Sequence, residues 1–205
     1  MFPNIETANL DGIIAVGGDL SVERLILAYK SGIFPWYNEG EPVIWYSPDP
    51  RMVLYPKKLK ISKSMRSVLK NENFKITFNQ NFEEVIANCK TIYRKGQPGT
   101  WITDEMQKAY LKLHKTGIAK SVEVWQNDEL VGGLYGIDLG HIFCGESMFS
   151  KVSNVSKVAF IYLVQKCEKE NYKLIDCQVY NDHLASLGAE EIPRKEFIKL
   201  LKKKI

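Results

Sequence analysis

The chain has 205 residues, 45% of them hydrophobic and 25% charged, with a formal net charge of +4. That is the composition of a globular protein able to bury a core without disulfide staples, since chains beyond ~150 residues bury roughly 70% of their unfolded surface. No apolar run approaches the ~18 residues of a membrane span, and the opening residues include Asn4, Glu6 and Asn9 instead of a signal-peptide stretch. A cytoplasmic protein without membrane association is expected.

Read in chain order, Gly17-Gly18-Asp19 marks a turn, and Ser21 caps a helix with Glu23 in its first turn and Gly32 just past its end. Pro35 keeps Gly32-Ile-Phe-Pro-Trp-Tyr37 from being helical, and its aromatics look exposed. Val43 to Tyr46 and Met52 to Tyr55 read as strands around the turn Ser47-Pro48-Asp49-Pro50. A helix is expected over 62–70 and a strand over 74–78, where Phe74, Ile76 and Phe78 alternate with polar residues. Phe82, Val85, Ile86 and Cys89 have helical spacing. So do Met106, Ala109, Tyr110 and Leu113, between a Thr103 cap and a Gly117 stop. Beyond residue 120 the pattern becomes a three-strand antiparallel meander, turning at Asn127-Asp128 and at Gly140. A helix over about 154–170, a strand from Leu174 to Val179 and a last basic helix near Pro193 follow. Strand, helix, strand implies a right-handed crossover to a parallel neighbour. The fold class is α+β, with an N-terminal domain over 1–62 and a C-terminal domain with a mixed sheet over 63–205, the boundary falling at about 56–72.

The cysteines at 89, 144, 167 and 177 form no C-x-x-C pair and share no ligand spacing with His114, His141 or His183. Scattered reduced thiols, and no metal site, are the reading. Charge is uneven. Residues 57–75 sum to +6, residues 194–204 to +5, and the rest of the chain to −7. Two basic blocks on an acidic body suit a polyanion partner, or are two solvated helix faces.

Asp176 and Gln178, two apart on a strand, share one face, while Cys177 points to the other. They form either a satisfied polar network at a strand end or a reacting centre. Cys177 and His183 also have the types of a thiol nucleophile and its base, though neighbours in sequence need not be neighbours in space. Glu146, inside the apolar run Phe143-Cys-Gly-Glu-Ser-Met-Phe149, either binds a cation such as an amino group or is an ordinary edge-strand charge. Trp36, Trp45 and Trp101 are candidate platforms for a nucleobase, worth ~1–3 kcal/mol when one stacks, or core residues.

These segments together resemble the bacterial leucyl/phenylalanyl-tRNA–protein transferases. The similarity covers nearly the whole chain and is carried by Val16-Gly-Gly-Asp-Leu-Ser21, Gly32-Ile-Phe-Pro-Trp-Tyr37, Tyr46-Ser-Pro-Asp-Pro-Arg51, Thr100-Trp-Ile-Thr103, Ser121-Val-Glu-Val-Trp125, Val131-Gly-Gly-Leu-Tyr-Gly136, Phe143-Cys-Gly-Glu-Ser-Met-Phe-Ser150 and Ile175-Asp-Cys-Gln-Val179, leading to Asn181-Asp-His183 and Ala185-Ser-Leu-Gly188.

The resemblance implies transfer of Leu, Phe and less readily Met from aminoacyl-tRNA to proteins that begin with Arg or Lys, marking them for degradation. It also implies an acetyltransferase-like (GNAT-like) C-terminal domain, no cofactor and a monomer. By resemblance, Trp36 and Trp101 hold the terminal adenosine of the tRNA, and Leu134, Phe143, Met148, Phe160, Leu163 and Ile175 line the side-chain pocket. Asp176, Gln178 and Glu146 surround the reacting centre. Leu134 stands where other members have methionine, which bears on the choice between Leu and Phe, since one methylene is worth only ~1–3 kcal/mol of discrimination. Lys57, Lys58, Lys60, Lys63, Arg66 and Lys70 are expected to meet tRNA phosphates. Asp176→Ala is expected to lower kcat with tRNA binding nearly intact. Two other classes stay open: a non-catalytic tRNA-binding module, and a small-molecule N-acyltransferase. The loop Ser150-Lys-Val-Ser-Asn154 lacks the glycines that pyrophosphate binding by the latter would call for.

Overall fold

The computed structural model describes residues 1–71, 73–92 and 100–203. Glu72 and Lys204, counted above in the two basic blocks, lie outside them. A 3-10 turn at Ile5–Thr7 precedes β1 (Ile13–Val16) and α1 (Val22–Lys30). Ser21 is the N-cap of α1, although its side chain makes no capping bond, and Glu23 and Lys30 sit where the helix dipole favours them. Gly32 ends the helix at φ +77°, a conformation L side chains rarely adopt, and a Cβ there would crowd the end of the Ile198 side chain, so this turn favours glycine. β2 (Phe34–Pro35) and β3 (Ile44–Tyr46) complete a small antiparallel sheet of order β1-β3-β2.

That sheet corrects two expectations. Of the aromatics at 34–37, Phe34 and Tyr37 are buried and only Trp36 is open, at 42% exposure. Trp45 is a core residue: its indole donates to the Gly17 carbonyl at 2.9 Å and its ring meets Phe2 edge-on. Alternation along β3 turns Trp45 inward, so it is no stacking platform.

β4 (Arg51–Leu54) opens the larger sheet, and a 3-10 turn at Pro56–Lys58 leads to α2 (Lys63–Asn71). Then follow β5 (Lys75–Phe78), α3 (Phe82–Thr91) and α4 (Asp104–Lys115). Thr103 caps α4 as expected, accepting from Met106 N at 3.1 Å. The meander is β6 (Ala119–Gln126), β7 (Glu129–Asp138) and β8 (Ile142–Ser150), and Asn127 and Asp128 both adopt positive φ at its first hairpin. α5 (Val155–Lys169) crosses to β9 (Leu174–Gln178), which α6 (Asp182–Ser186), β10 (Glu190–Ile192) and α7 (Arg194–Lys202) follow. Pro193 is the N-cap of α7, one position ahead of the first turn.

The larger sheet has seven strands in the order β10-β4-β9-β8-β7-β6-β5, antiparallel except for the β8–β9 pair. The fold is therefore α+β with a mixed sheet, as expected. One face packs on α3 and α4 around Phe82, Tyr110 and Leu113, the other on α5 around Val158, Ile161 and Val164. β4 and β10 extend the sheet beyond the meander, which no local pattern announced. The chain passes from the small sheet to the large one between Tyr46 and Arg51, ahead of the 56–72 boundary expected from the sequence.

Three registers shape the centre of this sheet. The parallel pairing of β8 with β9 stops at Cys144↔Asp176, and beyond it the two strands part. β8 shifts register against β7 between Tyr135↔Ser147 and Gly136↔Gly145, leaving Glu146 as an extra residue. β9 shifts against β4 between Val53↔Asp176 and Met52↔Gln178, leaving Cys177 extra, and Gln178 adopts φ +66°. Bulges of this kind re-aim side chains and concentrate beside active sites.

Candidate active site

Where β8 and β9 part, a cleft of about 430 Å³ opens. Gly145–Met148 form one wall and Cys177–Val179 the other, with Trp36 and Trp101 also on the lining. Leu134, Met148, Phe160, Leu163 and Ile175 give it an apolar end, so five of the six expected pocket residues meet there. Phe143 does not line the cleft. It lies on the paired part of β8, opposite Ile175, and lines a smaller cavity of about 150 Å³ with Leu163.

Asp176 is committed to a partner that sequence reading missed. Arg51 donates Nε to Oδ1 at 2.8 Å and Nη2 to Oδ2 at 2.7 Å, in a bidentate fork with both side chains at most 2% exposed. The guanidinium lies between the rings of Phe34 and Phe197, 4.8 and 4.7 Å from their centroids, and Nη1 reaches the Gly32 carbonyl at 3.3 Å. Asp176 Oδ1 also accepts the backbone N–H of Gln178 at 3.0 Å, which holds the bulge. The Asp176 charge is thus met by Arg51, and its carboxylate bonds the Gln178 backbone, not the Gln178 side chain.

Glu146 is the carboxylate that holds the Gln178 side chain. Gln178 Nε2 donates to Glu146 Oε1 at 2.8 Å, and Tyr110 OH donates to Oε2 at 2.9 Å. Burial pushes the Glu146 carboxyl up to about 8; hydrogen bonds from Tyr29, Tyr110 and Gln178 oppose the rise, and the Asp176 charge adds to it. An acid protonated in the fold to about pH 8 but titrating near ~4.3 once unfolded stabilises fully below the unfolded value and loses that contribution as pH rises. Melting temperature is expected to fall between about pH 5 and 8 partly through Glu146, and Glu146→Gln, neutral throughout, is expected to show a shallower fall. Equal slopes for the two proteins would mean Glu146 holds no such proton.

Cys177 and His183 both line the cleft. Burial pushes the Cys177 thiol well above its ordinary value, and its Sγ turns to the Ile175 carbonyl. A thiol so disposed is not an activated nucleophile. Among the described residues no group of His, Cys, Asp and Glu is arranged to hold a metal ion, and no helix is long and apolar enough to cross a membrane. Lys57, Lys58, Lys60, Lys63, Arg66 and Lys70 are all exposed, and Lys58 also pairs with Glu190 and lies over the Tyr55 ring. Arg51 stood in the sequence at the end of the Ser-Pro-Asp-Pro-Arg run, and Tyr29 and Tyr110 as ordinary helix-face aromatics. Only their pairing across the fold marks them.

Comparison with known proteins identifies the family. The family described as "Leucyl/phenylalanyl-tRNA protein transferase" matches residues 53–202, and its N-terminal domain matches residues 18–49. A leucyl/phenylalanyl-tRNA–protein transferase of Flavobacterium johnsoniae is 66% identical over 99% of this chain and 96% of its own length. One from Flavobacterium psychrophilum is 60% identical over 98% and 96%, and one from Syntrophus aciditrophicus 53% identical over 100% and 86%. Solved structures match loosely, as with a GCN5-related N-acetyltransferase from Kribbella flavida at TM-score 0.42 and 11% identity over 84% of this chain and 60% of that one. That likeness is too distant to carry a conclusion.

Proposed function

The chain belongs to the leucyl/phenylalanyl-tRNA–protein transferases, and we propose that it moves Leu, Phe and less readily Met from aminoacyl-tRNA to the α-amino group of proteins that begin with Arg or Lys. The product carries a bulky apolar N-terminal residue that serves as a degradation signal. One observation carries the reading: an apolar pocket, two tryptophans and the Glu146–Gln178 pair meet in a single cleft.

The terminal adenosine of the tRNA stacks on Trp36 and Trp101, and the aminoacyl side chain enters the pocket of Leu134, Met148, Phe160, Leu163 and Ile175. That sets the ester carbonyl beside Gln178. The acceptor amine, with an ordinary pKa near ~8, has a useful neutral fraction at pH 7. Its nitrogen forms a bond to the carbonyl carbon, the bond from that carbon to the ribose oxygen breaks, and the ribose leaves as an alcohol carrying the proton the nitrogen loses. An amide oxygen is too weak a base to keep that proton, so Gln178 orients the amine by accepting one of its N–H groups. Alignment of amine and ester supplies most of the rate, up to ~7–11 kcal/mol in the best cases.

Lys57, Lys60, Lys63, Arg66 and Lys70 meet tRNA phosphates without reading sequence, which suits an enzyme that accepts several tRNAs. Each such contact removed is expected to flatten the salt dependence of tRNA affinity by roughly 0.7–0.9 in log–log slope. Lys58, held by Glu190, is expected to change the slope less than Lys63 does. Equal slopes for wild type and Lys63→Ala would remove Lys63 from the interface.

The deciding experiment offers labelled Leu and Phe, each as aminoacyl-tRNA, with peptides beginning with Arg, Lys, Asp, Glu or Ala. Transfer to Arg and Lys alone is expected. Transfer to Asp or Glu would overturn the acceptor assignment while keeping the chemistry.

A further inference from the structure

Behind Gln178 the cleft floor continues as a file of polar side chains from four elements. Gln178 on β9 donates to Glu146 on β8, which accepts from Tyr110 on α4, whose hydroxyl shares a hydrogen bond with that of Tyr29 on α1. Both tyrosines are buried, and neither lines the cleft. Phenylalanine would fill the same space, so the two hydroxyls are there for what they bond to.

A primary amide is nearly symmetric in shape, and what its two ends meet decides which end faces a substrate. With Nε2 held by Glu146, the Gln178 side-chain oxygen is the free end, and no described residue donates to it. A protonated carboxyl, however, can present Gln178 with either a bare oxygen or an O–H. Facing an O–H, Gln178 would turn over and offer the cleft an N–H, which cannot accept from an amine. Tyr110, bonded to Oε2 and backed by Tyr29, holds the carboxyl so that Oε1 is the oxygen turned to Gln178; with Glu146 ionised, or with its proton on Oε2, Oε1 accepts from Gln178 Nε2.

We propose that Tyr29 and Tyr110 are positioning residues for the transfer step, holding Glu146 so that Oε1 accepts from Gln178 and the Gln178 carbonyl oxygen faces the incoming amine. This rests on the orienting role given to Gln178 above.

A double-mutant cycle tests it, reading kcat and KM for transfer to a peptide that begins with Arg. Tyr110→Phe is expected to lower kcat about 10- to 100-fold, with KM for aminoacyl-tRNA nearly unchanged. In a Gln178→Ala background the same change is expected to cost nothing further, because its effect runs through Gln178. A tyrosine that only supports the fold would lower kcat by the same factor in both backgrounds, and that result would overturn the proposal. Wild-type kcat in Tyr110→Phe beside an impaired Gln178→Ala would also overturn it, leaving the role of Gln178 in place. Wild-type kcat in Gln178→Ala would instead overturn that role. If Tyr110→Phe does not fold, Tyr29→Phe, one hydrogen bond further from Glu146, runs the same cycle with the same outcomes.

Discussion

Asp176→Ala is expected to lose about 3–5 kcal/mol of stability as well as transfer activity, because it leaves the Arg51 guanidinium buried without its counter-charge. Both oxygens of Asp176 are spoken for by Arg51, and one also holds the Gln178 backbone N–H. Removing the carboxylate therefore strands a charge between Phe34 and Phe197 and frees the bulge that aims Gln178. This adds a loss of stability to the expectation, drawn from sequence, of a lower kcat with tRNA binding nearly intact. Denaturant titration of Asp176→Ala checks it, and a midpoint equal to wild type would show that the pair is not holding the sheet. A second variant sharpens the point. Arg51→Met with Asp176→Leu removes both charges, and is expected to recover much of the lost stability while remaining inactive. Arg51→Lys is not expected to rescue, since one ammonium cannot reproduce the two-pronged fork.

Trp36→Ala is expected to raise KM for aminoacyl-tRNA by about 5- to 150-fold, the equivalent of ~1–3 kcal/mol of stacking on one base. Trp36→Phe keeps a stacking face and is expected to recover most of that. Little change in stability is expected, because Trp36 is 42% exposed and its ring rests against Tyr46. Trp101→Ala is expected to act on the same base, so the two effects combine to less than their product. A fall in kcat at unchanged KM would show that Trp36 shapes the reacting geometry instead of gripping the tRNA end. The contrast with Trp45 is the internal control: that indole is buried against Gly17 and Phe2, and its loss is expected to act on folding.

The sequence by itself determined the elements and much of their order. Thr103 as a cap, Gly32 and Gly117 as stops, the Asn127-Asp128 hairpin and the helical spacing in α3, α4 and α5 are local signals, set by backbone sterics and side-chain periodicity within a few residues. The strand–helix–strand order implied the one parallel junction, β8 to β9. The quoted motifs likewise carried the family. Only the tertiary structure decided how these pieces meet. Two bulges, each invisible to a period of two, re-aimed Glu146 and Gln178 and broke the simple alternation of Asp176, Cys177 and Gln178. Arg51 meets Asp176 across 125 residues of chain, and Tyr29 meets Tyr110 across 81. Pairings at that distance depend on strand register and on which face of a sheet each element covers, and neither is written in the local alternation of a single strand.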